Sequence, residues 1–347
     1  MPDTGTGTDV VLRATGLSVD YEGARATHAV RDVSLELRRG EVLGLAGESG
    51  CGKSTLAFAL ARLLRPPARV SAGRLEFFAR GADEPVDVMA LGPAELRQFR
   101  WSKVAMVFQS AMNALNPVIS LRKQFDDIFI THRPDMTRAQ RLQRSRELLD
   151  MVGIDPGRVD SFAHELSGGM RQRVMIAMAL ALRPEVVIMD EPTTALDVVV
   201  QREILEEVER LREELGFAVL FITHDLSLLL EVSDRLAIMY AGEVVEYAPA
   251  DRVAVHPAHP YTRGLLGSFP DMTGERRRFE GIPGTPPDLR QAITGCSFAA
   301  RCAREFEPCP GTAPRLRPPV QRGVTPWWRV ACHLHDPRYA EGAPWPR

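Results

Sequence analysis

Apolar and polar positions alternate over two stretches between residues 11 and 38, with Leu17, Val19 and Tyr21 in the first and Val33, Leu35 and Leu37 in the second. A period of two predicts strands with one buried face. The turns Glu22-Gly23-Ala24 and Arg39-Gly40 close the two runs. An almost continuous apolar run, Glu41 to Ala46, then predicts a buried strand, and an amphipathic helix is predicted over Ser54 to Leu64. Short strands and turns follow over residues 70 to 90. Pro93 opens a short helix to Arg100, and Val104 to Phe108 reads as a buried strand ending at Gln109.

From about Met112 to Ala163 the pattern turns helical. Leu121 to Ile130 carries one apolar face. Thr137 to Val152 is a charged amphipathic helix opened by Thr137 and closed by Gly153 and Pro156. From Ser167 strands and helices alternate again: a helix to about Leu182, a strand Glu185 to Met189, a helix Val199 to Leu215 and a strand Phe217 to Thr223. Arg235 to Glu246 reads as a hairpin turning at Ala241-Gly242. Such alternation predicts an α/β class with a parallel-sheet core, into which the helical block is inserted. Near residue 250 the character changes once more, to irregular stretches rich in proline and cysteine, HPAHPYT and GIPGTPP among them. Ala313 to Pro319 and the final APWPR read as extended loop.

The bulk properties change this picture little. A chain of 347 residues can bury one large core and a smaller domain. A net charge of -2 argues against a broad nucleic-acid surface. The opening MPDTGTGTDV lacks a charged-then-apolar export signal, and the longest apolar run, Val174 to Leu182, is about half of the ~20 residues a membrane span needs. The expectation is a soluble or peripheral cytosolic protein with reduced cysteines. Of its 5 cysteines, Cys51 is separate, while Cys296, Cys302, Cys309 and Cys332 all fall in the last sixth of the chain.

The stretch GESGCGKST, Gly47 to Thr55, fits G-x-x-x-x-G-K-[ST]. Phosphate cannot approach a backbone through β-carbons, so Gly47, Gly50 and Gly52 clear the way. The N–H groups of Ser49 and Cys51 onward form an anion nest at a helix N-terminus. Lys53 is expected on the β/γ-phosphates, and Ser54, followed by Thr55, on Mg²⁺. A second chemical stretch, EVVIMDE, ends in two carboxylates: Asp190, expected to support Mg²⁺, and Glu191, expected to polarise an attacking water. A third, LSGGMRQR, places Ser167 as N-cap with Gly168 and Gly169 leaving the helix N-terminus open. One chain needs a single γ-phosphate site, so this second anion site reads as serving a partner's nucleotide. Taken alone, His224 reads as a capping histidine at a strand end, and Tyr21 as half-buried strand packing.

In this order and spacing the motifs resemble the nucleotide-binding subunit of an ATP-binding-cassette (ABC) transporter, over roughly residues 10 to 250. The resemblance implies a P-loop NTPase, RecA-like core with an antiparallel β-subdomain and an inserted helical subdomain at about 112–165. It implies that Tyr21 stacks on adenine and that Gln109 senses Mg²⁺ and the transmembrane partner. It also implies that Ala195-Leu196-Asp197 lies at a dimer interface and that His224 contacts the γ-phosphate. The expected extension at 255–347 resembles, over about residues 255 to 335, the C-terminal region of the oligopeptide/dipeptide importer branch, which includes nickel-type importers. That match rests on HPYTRGLL (His259 to Leu266), GIPGTPPDL (Gly281 to Leu289) and GCSFAARC (Gly295 to Cys302). The implied partners are a second ABC ATPase in a heterodimer, two permeases and an extracytoplasmic binding protein, with no nucleic acid. The implied location is the cytoplasmic face of the inner membrane. The four cysteines, C-x5-C-x6-C-x22-C, lack the paired knuckles of a zinc ribbon. Four thiolates can hold a [4Fe–4S] cluster without that pairing, and some members of the branch carry one here. Structural zinc and free buried thiols remain the alternatives. So do a nickel or other small-solute importer, and a nontransport ABC ATPase, for the chain as a whole.

Overall fold

The structure, a computed structural model, describes residues 9–108, 114–194, 196–268, 281–320 and 327–339. In chain order it forms β1 (Val10–Tyr21), β2 (Thr27–Arg38), β3 (Val42–Ala46), α1 (Lys53–Leu60), β4 (Ala68–Phe77) and β5 (Val86–Asp87). Next come α2 (Pro93–Ser102), β6 (Val104–Val107), α3 (Leu121–His132), α4 (Arg138–Met151), α5 (Gly168–Ala179) and β7 (Val186–Asp190). The chain continues with α6 (Val198–Leu215), β8 (Ala218–Ile222), α7 (Leu226–Val232), β9 (Arg235–Tyr240) and β10 (Glu243–Pro249). It ends with α8 (Ala250–Val255), α9 (Pro260–Gly267), α10 (Pro308–Gly311) and β11 (Arg329–Val330). These elements divide between two compact units, neither of them one continuous segment: residues 1–12, 36–41 and 76–222 in the first, and 13–35, 42–75 and 223–347 in the second.

In the first unit β6, β7 and β8 run parallel, with Val187 opposite Ala105 and Val219. All five residues of β7 are buried. A continuous apolar strand of this kind needs cover on both faces, and its buried end places Asp190. The helical block follows its capping signals. Thr137 and Gln140 form a reciprocal capping box at the start of α4. Helix α6 buries Ile204, Val208 and Leu211 on one stripe, begins at Asp197 and stops at Gly216 in the left-handed region.

In the second unit β3 pairs parallel with β9, and β9, β10 and β11 are antiparallel neighbours. The hairpin turns at Ala241-Gly242, both with positive φ.

Three expectations shift. Helix α1 ends at Leu60, not Leu64, and Arg62 follows with φ of 55°. Helix α5 ends at Ala179, not Leu182. Leu180 and Ala181 are buried in the turn into β7, so their apolarity reports burial and not helix. HPAHPYT is not irregular throughout: His259 Nδ1 accepts the Tyr261 N–H at 3.0 Å and Pro260 takes the first turn of α9. The tail also has more core than its sequence suggests. Tyr261, Phe298, Trp328 and Val330 are buried, each worth about 1.5–3 kcal/mol of transfer free energy. At its centre Glu246, fully buried, accepts from the Ala258 N–H at 2.8 Å, the His259 N–H at 2.9 Å and Trp328 Nε1 at 3.1 Å.

Candidate nucleotide-binding site

In the second unit, the loop between β3 and α1 delivers its residues to a helix N-terminus. Gly52 is the N-cap of α1 with φ of 108°, and a β-carbon there would lie 2.3 Å from the Ala29 carbonyl oxygen. Only glycine holds that position. Ser49 and Gly50 form the exposed tip, and Ser54 is exposed at the start of the helix. Lys53 is buried, and its Nζ donates to the carbonyls of Gly47 at 2.7 Å and Glu48 at 3.0 Å. The ammonium is thus anchored inside the loop beside the helix's positive end, a fixed cationic pocket suited to polyphosphate. Cys51 is buried and its thiol pKa is pushed up by burial, with Lys53 pulling the other way. Tyr21 is exposed on β1, and its hydroxyl shares a 3.0 Å hydrogen bond with Thr55 Oγ1, which brings the expected base-stacking ring to the loop. His224 is exposed, and the cap of α7 belongs to Asp225, whose carboxylate accepts the Leu228 N–H at 3.1 Å.

In the first unit, Asp190 is buried at the end of β7, opposite Ile222. Glu191 follows with φ of 47°, a left-handed conformation rare for a non-glycine residue and characteristic of functional turns. Its N–H donates to the Ile222 carbonyl at 2.8 Å and its Oε2 accepts from Thr194 Oγ1 at 3.0 Å. Thr194 therefore aims the carboxylate, a role the sequence pattern did not reveal because the residue stands three positions on, in a turn. Ser167 caps α5, its Oγ accepting the Met170 N–H at 3.2 Å. A β-carbon on Gly169 would lie 2.7 Å from Val200, so this glycine also serves packing, while Gly168 follows the cap directly. Asp197 caps α6, accepting from Val199 and Val200 N–H groups. The same unit has a cleft of about 440 Å³ lined by Trp101, Met106, Phe108, Leu115, Ile128 and Met178. Gln109 and Ala195 lie outside the described residues.

Cys296, Cys302, Cys309 and Cys332 line one small cavity of about 10 Å³ together with Phe298 and His333. Burial pushes the thiols of Cys296 and Cys332 up to about 12, and those of Cys302 and Cys309 upward as well. Among the described residues no group of three or more His, Cys, Asp or Glu side chains is spaced to hold a metal ion. The donor chemistry suits an iron–sulfur cluster.

A glycine-shaped loop at a helix N-terminus, its anchored lysine and a buried strand-end aspartate define the class: a phosphate-loop nucleoside triphosphatase. Residues 30–194 match the ABC transporter family, and residues 245–309 match the oligopeptide/dipeptide transporter C-terminal region. The chain is 42% identical over 299 residues to a probable peptide ABC transporter ATP-binding protein of Sinorhizobium fredii, covering 85% of this chain and 87% of the relative. It is 41% identical over 296 residues to the dipeptide transport ATP-binding protein DppD of Bacillus subtilis, covering 84% and 86%. Among solved structures, it resembles cbiO1 of Clostridium perfringens, part of the ABC transporter complex cbiONQ, with TM-score 0.61 and 28% identity over 72% of this chain and 92% of that one. It also resembles a dimeric ATP-binding cassette in a post-hydrolysis state bound to ADP and Pi, with TM-score 0.59 and 27% identity over 69% and 98%. The chain belongs to the ABC transporter ATP-binding family, in the branch that carries the oligopeptide/dipeptide C-terminal region.

Proposed function

We propose that this chain is the ATP-hydrolysing subunit of a bacterial importer of di- or oligopeptides. The observation that carries this reading is the presence, in one chain, of an intact ATP-binding cassette and the peptide-transporter C-terminal region. Lys53 and the loop N–H groups bind the β/γ-phosphates, and Tyr21 stacks on the base. Glu191, held by Thr194, orients the attacking water and takes its proton, with His224 at the γ-phosphate. Mg²⁺ supplies charge neutralisation on the phosphate oxygens when bound. Ser54, Asp190 and Gln109 are the oxygen donors that suit a hard cation.

Ser167, Gly168 and Gly169 serve the nucleotide of a second ATPase subunit in a heterodimer. Val198 and Val199, 79% and 69% exposed beside Asp197, support an interface at that point. The apolar cleft below Phe108 supports docking of one of two permeases, and an extracytoplasmic binding protein delivers the solute. No helix among the described residues is long and apolar enough to cross a membrane, which fits a peripheral subunit on the cytoplasmic face of the inner membrane. The working boundaries are a cassette at 10–250, with its helical subdomain at 112–165, and an extension at 255–347. A [4Fe–4S] cluster on the four tail cysteines rests on their donor set alone. Anaerobic purification with iron and sulfide analysis tests it, and stoichiometric zinc or metal-free thiols would overturn it.

The function is tested in the assembled complex. Peptides added with the binding protein stimulate ATPase activity, and Glu191→Gln abolishes turnover while ATP still binds. Stimulation by nickel chelates alone would replace the substrate, and unchanged turnover in Glu191→Gln would remove the base assignment.

A further inference from the structure

Three tail motifs converge on one residue of the phosphate loop. The side chain of Arg301, in the turn between Cys296 and Cys302, makes a bidentate ion pair with Glu48: Nη1 to Oε2 at 2.8 Å and Nη2 to Oε1 at 3.0 Å. The Glu48 N–H donates to the Tyr261 hydroxyl of HPYT at 2.9 Å. Arg301 is itself fixed by GIPG, its Nε donating to the Pro283 carbonyl at 2.8 Å and Nη2 to the Ile282 carbonyl at 3.3 Å. Its Nη1 also reaches the Tyr240 hydroxyl at 3.3 Å. The Arg301 side chain is only 6% exposed, against 25% for Glu48. Tyr240, Tyr261 and Phe298 pack against one another, tilted or edge-on, with ring centroids 4.6 to 5.4 Å apart. The Glu48 carbonyl is meanwhile held by Lys53 Nζ. The same carbonyl also accepts the Cys51 N–H at 3.3 Å, so every polar group of Glu48 is committed, and the tail supplies two of its four partners.

Glu48 places a negative charge inside a loop that receives a polyanion. Left uncompensated, a carboxylate on that loop repels phosphate. A planar guanidinium pre-set by two carbonyls is the group best suited to neutralise it without loss of order. We propose that Arg301 and Tyr261 are positioning residues of the ATP site: the tail neutralises Glu48 and fixes the loop's entry, and so sets ATP affinity. This rests on reading Gly47–Thr55 as the nucleotide site.

The test measures KM for ATP and kcat in the assembled importer. Arg301→Gln raises KM about tenfold with kcat held within about twofold. Adding Glu48→Gln to it restores most of the lost affinity, because no uncompensated carboxylate remains. Arg301→Lys, which keeps the charge but not the fork, falls between the wild type and Arg301→Gln, and Tyr261→Phe raises KM about two- to threefold. These two milder variants carry the test if Arg301→Gln does not assemble. Unchanged KM in the variants, a loss confined to kcat, or no rescue by Glu48→Gln overturns the proposal. Lys53→Ala is run alongside. If it binds ATP as tightly as the wild type, the nucleotide-site reading fails and not the clamp.

Discussion

The phosphate loop and the C-terminal tail lie in the same compact unit and hold their shapes by opposite means. The loop is a backbone object. Its geometry comes from glycine φ angles, from N–H groups at the head of α1, and from carbonyls that receive Lys53. The tail is a side-chain object. Its short helices and the two-residue β11 are gathered by Glu246, His259, Trp328 and Arg301. The difference matters because a backbone device fails when a β-carbon is added, whereas a side-chain device fails when one partner is removed and others are left buried without it.

The sharpest challenge to this contrast is Gly52→Ala. The new methyl would meet the Ala29 carbonyl oxygen, which is backbone and cannot rotate away, at a φ of 108°. The expected cost is about 3–5 kcal/mol by chemical denaturation, with loss of ATP binding by calorimetry. Wild-type binding would show that the loop is not rigid.

Next in size is Glu246→Ala, which strands the N–H groups of Ala258, His259 and Trp328 in a buried setting. It should lower unfolding free energy by about 3 kcal/mol and make the tail the first site of limited proteolysis. A cost under about 1 kcal/mol would mean the tail is not held by this hub.

The third prediction concerns pH. His259 is buried, and burial lowers its pKa from 6.5 to about 3. The folded form is therefore neutral while the unfolded chain takes up a proton below pH 6.5, so this contribution to stability is lost as pH falls from about 6.5 toward 3. The slope is about 1.4 kcal/mol per pH unit. Glu246 acts with the opposite sign: burial raises its pKa, so its contribution is present at low pH and lost as pH rises through the folded value. His259→Asn, which keeps a cap acceptor, should remove one proton's slope below pH 6.5 relative to the wild type. Measuring both proteins cancels the Glu246 contribution, and identical slopes would place the histidine's titration elsewhere.

Smallest is Gly50→Ala. Gly50 has a φ of 78° but open space around its β-carbon position. Its stability cost should be only the conformational term, about 1 kcal/mol. A cost equal to that of Gly52→Ala would show that strain, not backbone collision, governs the loop.

The same contrast explains what could be read in advance. The alternation over β1 and β2, the apolar run of β3, the Ala241-Gly242 turn and the capping box at Thr137 are local patterns, and the structure follows them. Where local patterns compete with burial, reading failed. The apolar Leu180 and Ala181 looked helical and instead pack in a turn. No local pattern announced that Thr194 would hold Glu191.

The sequence by itself determined the phosphate loop, the strand-end carboxylates, the Ser167-capped start of α5 and the α/β class. Each depends on backbone conformations and hydrogen bonds among residues a few positions apart. Only the tertiary structure decided that Glu246 is the hub of the tail and that Arg301 reaches Glu48 across 253 positions of sequence. A charged side chain carries no sign of its partner in its neighbours. The pairing follows from closure of the sheet and tail around it, where burial makes each unmatched polar group costly and so selects the one arrangement that matches them.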